Sequence, residues 1–284
     1  MEGDAAPASV LTISVRPLDD HGMVVVIEDQ SRIRQLESIR RDFVANVSHE
    51  PKTPLSSIKA YAETLRLGAM DDLDHRGRFI GEIEEQAERL YLLIIDLIQL
   101  ARIESRQEIF EAEALELGNI LLDSIESFAP VAESKSLDLQ LEAPKTLSMR
   151  GDAEGIRTIL DNLISNAIRY TPDGGTVNVK CMATDAVVQL EIRDTGIGIA
   201  KEHRARIFER FYRIDKARSR DLGGTGLGLS IVKHLAQALN GTIEVESEIG
   251  RGSCFRVTLP LNIETQAAVD LPPSPDNDVP NSYA

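Results

Sequence analysis

The chain has 284 residues, 42% of them hydrophobic, only 4% aromatic and none tryptophan, with a formal net charge of −15. That length suits about two domains with aliphatic cores, and the acidic balance argues against a nucleic-acid binder, which needs a basic face. Cys181 and Cys254 stand far apart at no metal-ligand spacing, so free thiols in a reducing compartment are expected. No apolar run reaches the roughly 18–20 residues of a membrane span, and no signal-peptide pattern opens the chain. It reads as a soluble, cytoplasmic protein.

Residues 1–8 are small and polar and are expected to fray. Val10–Val15 alternates, Asp19–Gly22 turns and Met23–Ile27 is apolar, which is the pattern of a β-hairpin. A lone hairpin is marginal in water, so it reads as the end of a larger sheet domain that the chain lacks. From Ser31, an expected N-cap, to Leu67 the pattern is helical, with Ile33, Leu36, Ile39, Phe43 and Val47 at spacings of three and four. Gly68, Asp71 and Asp72 break it, and a second helix is expected from Asp74 to Arg106, with Phe79/Ile80, Ile83, Ala87, Leu90, Ile94, Leu97 and Ala101 as its stripe. Two amphipathic helices in one hairpin cannot bury both stripes. Two hairpins can, as a twofold four-helix bundle, so a homodimer is expected from burial alone.

A linker over 107–114 leads into a mixed α/β domain ending near Asn262. Helices are expected at Ile120–Ser134, at Ala153–Tyr170 behind Asp152, and at Gly228–Leu239. Strands are expected at Leu137–Leu141, Thr176–Met182 and Val187–Asp194, with a final hairpin over Gly241–Ser247 and Cys254–Leu259. The tail from Glu264 is acidic and proline-rich and is expected to be disordered.

Chemistry-bearing residues fall in five stretches. His49 has Glu50 beside it and Thr53 one helical turn on. It lies two residues from Val47 and from Pro51, roughly 200° around a helix from each, so it should face solvent. On the helix over 153–170, Asn162, Asn166 and Arg169 fall at i, i+4 and i+7 on one face. An amide oxygen is a hard ligand suited to Mg2+, and an arginine pairs with phosphate, although such a face taken alone is an ordinary solvated one. Asp194, Gly196 and Gly198 follow a strand, where a carboxylate can accept from an amine and glycines admit a ligand closely. Phe208–Arg213 is an aromatic and basic cluster, either a partly ordered lid or a short amphipathic helix packed on the domain. Gly223, Gly224, Thr225, Gly226, Leu227 and Gly228 open a helix, whose N–H groups favour anions. A dinucleotide-binding unit fails on context, because this motif opens no βαβ unit near the start of a parallel sheet.

These five stretches, in this order, resemble the sensor histidine kinases of two-component systems, most closely the PhoR-type subgroup. The resemblance covers residues 31–262 and runs through the H, N, G1, F and G2 boxes. It implies a multi-domain α plus α/β fold. Residues 1–30 would be the remnant of a PAS-like sensor domain, 31–106 a dimerising and phosphotransfer helical hairpin, and 115–263 an α/β-sandwich ATP-binding domain of the gyrase/Hsp90 type. The incomplete hairpin supports a chain truncated at its N-terminus, and full-length members are often membrane-tethered.

The resemblance also implies roles. Asp194 accepts the adenine amine, with Gly196 and Gly198 lining that end. Asn166 holds Mg2+ and Asn162 supports it. Arg169 and the backbone of Gly224–Gly228 hold phosphates, and Tyr170 flanks the nucleotide. His49 attacks the γ-phosphate, Glu50 is general base, and an aspartate of a response regulator then receives the phosphoryl group. Thr53 orients a water in a second, phosphatase reaction. A dimeric scaffold with phosphatase activity only, or a stand-alone ATPase of the same superfamily, are the rivals. Pro51 departs from the family, where leucine is usual. With Pro54 it predicts a helix kinked or unwound over 47–54, since an interior proline costs about 3 kcal/mol or more.

Overall fold

Strands β1 (Leu11–Pro17) and β2 (Met23–Asp29) pair antiparallel, Ile13 facing Ile27 and Val15 facing Val25. The expected hairpin is therefore present, and its turn over 19–22 lies outside the described residues. This computed structural model describes residues 10–17, 23–104, 112–144, 147–215 and 224–263. The chain divides into two compact units, Met1–Leu92 and Leu93–Ala284.

In the first unit α1 (Ser31–His49) starts one residue earlier than an N-cap at Ser31 requires. Gln30 holds the cap position. The Ser31 hydroxyl instead accepts the Val10 N–H at 2.7 Å, while the Ser31 N–H donates to Asp29 Oδ1 at 2.9 Å. Bonds from Ser31 hold the exposed Asp29 carboxyl below its ordinary range. They tie the helix start to both strands.

A second helix, α2, runs over Lys52–Thr64, and the ladder is interrupted at Glu50–Pro51. The expected break is present, but the chain is not unwound there. Glu50 (φ −61°, ψ −38°) and Pro51 (φ −71°, ψ −27°) keep helical dihedrals. Proline's fixed φ suits the helix, and what it removes is an N–H. Around the gap the Glu50 N–H reaches Asn46 O at 2.8 Å and the Leu55 N–H reaches Pro51 O at 3.3 Å. A π-helical turn, Leu65–Ala69, then contains Gly68 at φ 134°, the expected breaker.

The helix α3 (Leu73–Glu104) begins where Asp72 Oδ1 accepts the N–H groups of Asp74 and His75. Within the first unit Tyr61 donates to Glu82 Oε2 at 3.3 Å, and its ring lies 5.8 Å from that of Phe79, pairing α2 with α3. The α3 residues buried within one chain are Leu93 and Leu100, whereas Ile80, Ile94, Ile95 and Ile98 of its apolar surface are exposed.

The second unit is a two-layer α/β sandwich. Its sheet has strand order β4-β6-β7-β9-β8, built from β4 (Asp138–Glu142), β6 (Thr176–Ala183), β7 (Val187–Asp194), β8 (Thr242–Glu248) and β9 (Gly252–Pro260). Only β4 and β6 are parallel. Three helices, α4 (Leu117–Ser134), α5 (Ala153–Tyr170) and α6 (Gly228–Ala238), supply the other layer. Strand alternation explains the single core. Val177 and Val179, Leu190 and Ile192, and Val257 and Leu259 point inward against Ile159, Leu163, Ile164, Ile231 and Leu235. Burying a side chain of this size contributes about 1.5–3 kcal/mol. The outward face is polar, with Arg256 bridging Glu191 and Glu246.

Part of the expected linker is strand. Residues 107–111 lie outside the described residues, but Glu113–Glu116 forms β3, paired antiparallel with β5 (Ser148–Gly151). Four-residue strands carry too little alternation to read from sequence. Both cysteines are free and buried, and burial pushes each thiol up to about 11.

Candidate functional site

The polar edge of α5 is one wall of the site. Asp152 caps the helix, its carboxylate accepting the Glu154 N–H at 3.1 Å. The apolar face from Ile156 to Ile168 is buried, which leaves Asn162, Asn166 and Arg169 half-buried along the edge. The Asn162 amide donates to Thr158 O at 2.9 Å. Its oxygen lies against Gly228, where a Cβ would clash with it. Asn166 has no side-chain partner among the described residues, so its amide is open to a ligand.

The end of α5 joins the second wall. Tyr170 O accepts the Ile197 N–H at 3.3 Å, which docks the glycine turn after β7. Asp194 is the last inward position of β7, so the alternation that builds the core also buries this carboxylate. Its Oδ1 accepts from Gly196 N at 2.8 Å and Ser253 N at 3.2 Å. Oδ2 has no partner among the described residues. Burial pushes the carboxyl above its ordinary range, opposed by those two backbone bonds. One oxygen is thus held and the other presented, as an acceptor for an amine.

The third wall is the stretch 224–228. A Cβ on Gly224 would lie 2.9 Å from the Arg169 guanidinium. Gly226 has φ 77°, and a Cβ there would meet the Phe211 backbone at 3.1 Å, so glycine is needed on two counts. The Leu227 N–H donates to Thr225 Oγ1 at 3.2 Å. Helix α6 starts at Gly228 with no side-chain cap among the described residues, and the N–H groups of a helix's first turn favour an anion.

The aromatic cluster braces this wall. Arg206–Phe208 is a 3-10 turn, and Phe208 stands edge-on to Phe255 of β9, centroids 6.5 Å apart. The Phe211 N–H donates to Gly226 O at 2.8 Å, with Phe211 itself at φ 61°. The Arg213 guanidinium donates to Gly224 O. Between a lid and a short packed helix, the described part is packed. Gly223 and the rest of 216–223 lie outside the described residues.

The first unit carries the other group. His49 and Thr53 are exposed and Glu50 half-buried. Helical dihedrals through Glu50 and Pro51 preserve the one-turn spacing of His49 and Thr53 across the interrupted ladder. No cluster of three or more histidine, cysteine or acidic side chains able to hold a metal occurs among the described residues. The Asn166 amide oxygen is a hard donor of the kind a Mg2+ ion accepts beside water and phosphate oxygens.

Two family models match. Residues 39–106 fit the His Kinase A (phospho-acceptor) domain. Residues 151–263 fit the histidine kinase-, DNA gyrase B- and HSP90-like ATPase. The chain belongs to the sensor histidine kinases.

This kinase-family chain is 40% identical over 237 residues to the sensor-like histidine kinase SenX3 of Mycolicibacterium smegmatis, covering 84% of this chain and 62% of that protein. It is 36% identical over 233 residues to the phosphate regulon sensor protein PhoR of Pseudomonas aeruginosa, covering 82% of this chain and 52% of that protein. It thus spans between half and two thirds of these relatives, and the PhoR-like likeness holds. Among solved structures, full-length ShkA in complex with AMPPNP matches with a TM-score of 0.59 at 28% identity, covering 79% of this chain and 46% of that one. No helix among the described residues is long and apolar enough to cross a membrane.

The N, G1 and G2 residues named from sequence converge on one region of the second unit. Sequence reasoning missed two groups. The Ser253 N–H is a backbone donor and leaves no residue-type signal. Asp96 does leave one. It is the lone acid between Leu90 and Ala101, and its Oδ2 accepts the Thr225 hydroxyl at 2.5 Å.

Proposed function

We propose that this chain is the catalytic portion of an ATP-dependent protein histidine autokinase that phosphorylates His49. The observation that carries the proposal is the Asp194 carboxylate, with one oxygen held by two N–H groups and the other without a partner among the described residues, in the same unit as the Arg169 guanidinium packed beside Gly224. The ShkA complex with AMPPNP supports a nucleotide there. Residues 31–106 are the dimerising hairpin and 115–263 the catalytic domain.

Asp194 Oδ2 accepts the adenine amine, and the glycine turn at 196–198 lets the base approach. Tyr170 flanks the nucleotide. Arg169, the Thr225 and Leu227 backbone and the α6 N-terminus hold phosphate oxygens. Asn166, with Asn162 beside it, would hold Mg2+, and the ion would supply neutralisation of the charge that develops on phosphate oxygens. A ring nitrogen of neutral His49 attacks the γ-phosphorus, the bond to the β-phosphate oxygen breaks, and ADP leaves. Glu50 takes the proton from the other ring nitrogen. The phosphoryl group then passes to an aspartate on a response regulator docked at the hairpin. Thr53 positions the water that hydrolyses that phospho-aspartate. Exposed Leu55, Ile80, Ile94 and Ile98 support a second copy completing a four-helix bundle.

Incubation with γ-labelled ATP and Mg2+ tests this. Acid-labile, base-stable label that disappears in His49→Gln is expected. ATP hydrolysis without label would favour a stand-alone ATPase, and neither would favour a scaffold.

A further inference from the structure

Asp96 is a carboxylate on a stretch of α3 otherwise apolar from Leu90 to Ile98. Within the second unit it is half-buried, and its Oδ2 accepts the hydroxyl proton of Thr225 at 2.5 Å. Thr225 lies beside Gly224, whose Cβ position is 2.9 Å from the Arg169 guanidinium, and the Arg169 charge acts on Asp96. The same Thr225 oxygen accepts the Leu227 N–H at 3.2 Å. A chain of bonds therefore runs from the α6 entry through Thr225 to Asp96. A carboxylate has the sign and the acceptor geometry of a phosphate oxygen pair. Placing one here costs desolvation, and burial pushes Asp96 above the ordinary carboxylate range, opposed by Thr225 and Arg169.

We propose that Asp96 is an internal competitor for the phosphate end of the nucleotide site, latching the glycine-rich turn through Thr225 until the nucleotide's phosphates displace it. The latch rests on the nucleotide reading above and adds its regulation. While Thr225 donates to Asp96 its hydroxyl cannot donate to a phosphate, and the carboxylate partly neutralises the field of Arg169. Movement of α3 away from the turn releases both, so the state of the helix sets phosphate affinity without touching the adenine end.

Calorimetric titration of the full chain with Mg-ATP and, separately, adenosine tests this on Asp96→Ala and Asp96→Asn, with melting curves confirming the fold. Loss of one charge-assisted hydrogen bond should tighten Mg-ATP about tenfold in Asp96→Ala. Asp96→Asn, which keeps an acceptor but no charge, should fall between. Adenosine, which has no phosphate, should bind all three alike. Unchanged or weaker Mg-ATP binding overturns the latch, as does equal tightening of adenosine. The contact is tested apart from nucleotide by Asp96→Cys with Thr225→Cys. Their disulfide should form under mild oxidation and be suppressed by Mg-ATP. Wild-type chain that binds neither ligand refutes the nucleotide site, whereas absence of the disulfide refutes the latch alone.

Discussion

Asp194→Asn separates the two jobs of one carboxylate. The substitution is isosteric. Its amide oxygen can keep the bonds from Gly196 N and Ser253 N at 2.8 and 3.2 Å, which places the new NH2 group where Oδ2 now stands. That turns the acceptor proposed for the adenine amine into a donor. A hydrogen bond to a charged group contributes about 1.5–3 kcal/mol, so ATP and adenosine should both weaken by about 10- to 150-fold at 1.4 kcal/mol per decade. The fold should not suffer. Burial raises the Asp194 carboxyl, so its protonated form is favoured by folding. That contribution is complete below the unfolded carboxylate range and is lost as pH rises through the raised native value. At neutral pH the wild type carries the desolvation cost and the amide does not. The variant should therefore melt at or above the wild-type temperature at pH 7, with the difference shrinking as pH is lowered toward about 4, the ordinary carboxylate range. Calorimetric binding and melting curves check both halves. Nucleotide affinity within twofold of wild type, or a melting temperature well below it at pH 7, would refute the reasoning.

Pro51→Leu restores an N–H opposite Val47 O in a segment whose dihedrals are already helical. Recovering one backbone hydrogen bond, about 0.5–1.5 kcal/mol, should raise the melting temperature by a few degrees in calorimetry, and no change would refute that gain. Gly226→Ala puts a Cβ at φ 77° and 3.1 Å from the Phe211 backbone. It should cost about 1–2 kcal/mol and weaken Mg-ATP roughly tenfold, read by titration. Glu50→Gln should leave nucleotide binding unchanged and slow labelling of His49 by about 10²- to 10⁴-fold, read in single-turnover assays.

Much of the site was legible because its signals are periodic or compositional. The i, i+4, i+7 spacing of Asn162, Asn166 and Arg169 placed them on one edge of α5, and the structure keeps them there. Glycines at 224, 226 and 228 marked the glycine-rich entry to a helix, and each meets a named neighbour there. What escaped depends on partners remote in sequence. Ser31 was expected as an N-cap, but the helix starts one residue earlier because Asp29 and Val10 claim its polar groups. The strand Glu113–Glu116 exists because Ser148–Gly151 pairs with it. Two prolines predicted a helix kinked or unwound over 47–54; the ladder is interrupted at Glu50–Pro51, but φ values compatible with a helix keep the chain from unwinding there. Asp96 stood in an apolar run as a visible anomaly, but its partner lies 129 residues away.

The central claim is that His49 accepts the phosphoryl group. Phosphopeptide mapping of the wild-type chain after incubation with Mg-ATP, under alkaline conditions that preserve phosphohistidine, tests it most directly. Phosphate on the imidazole of His49 is the predicted result. Phosphate on another residue, with His49 unmodified while ATP is bound and consumed, would contradict it.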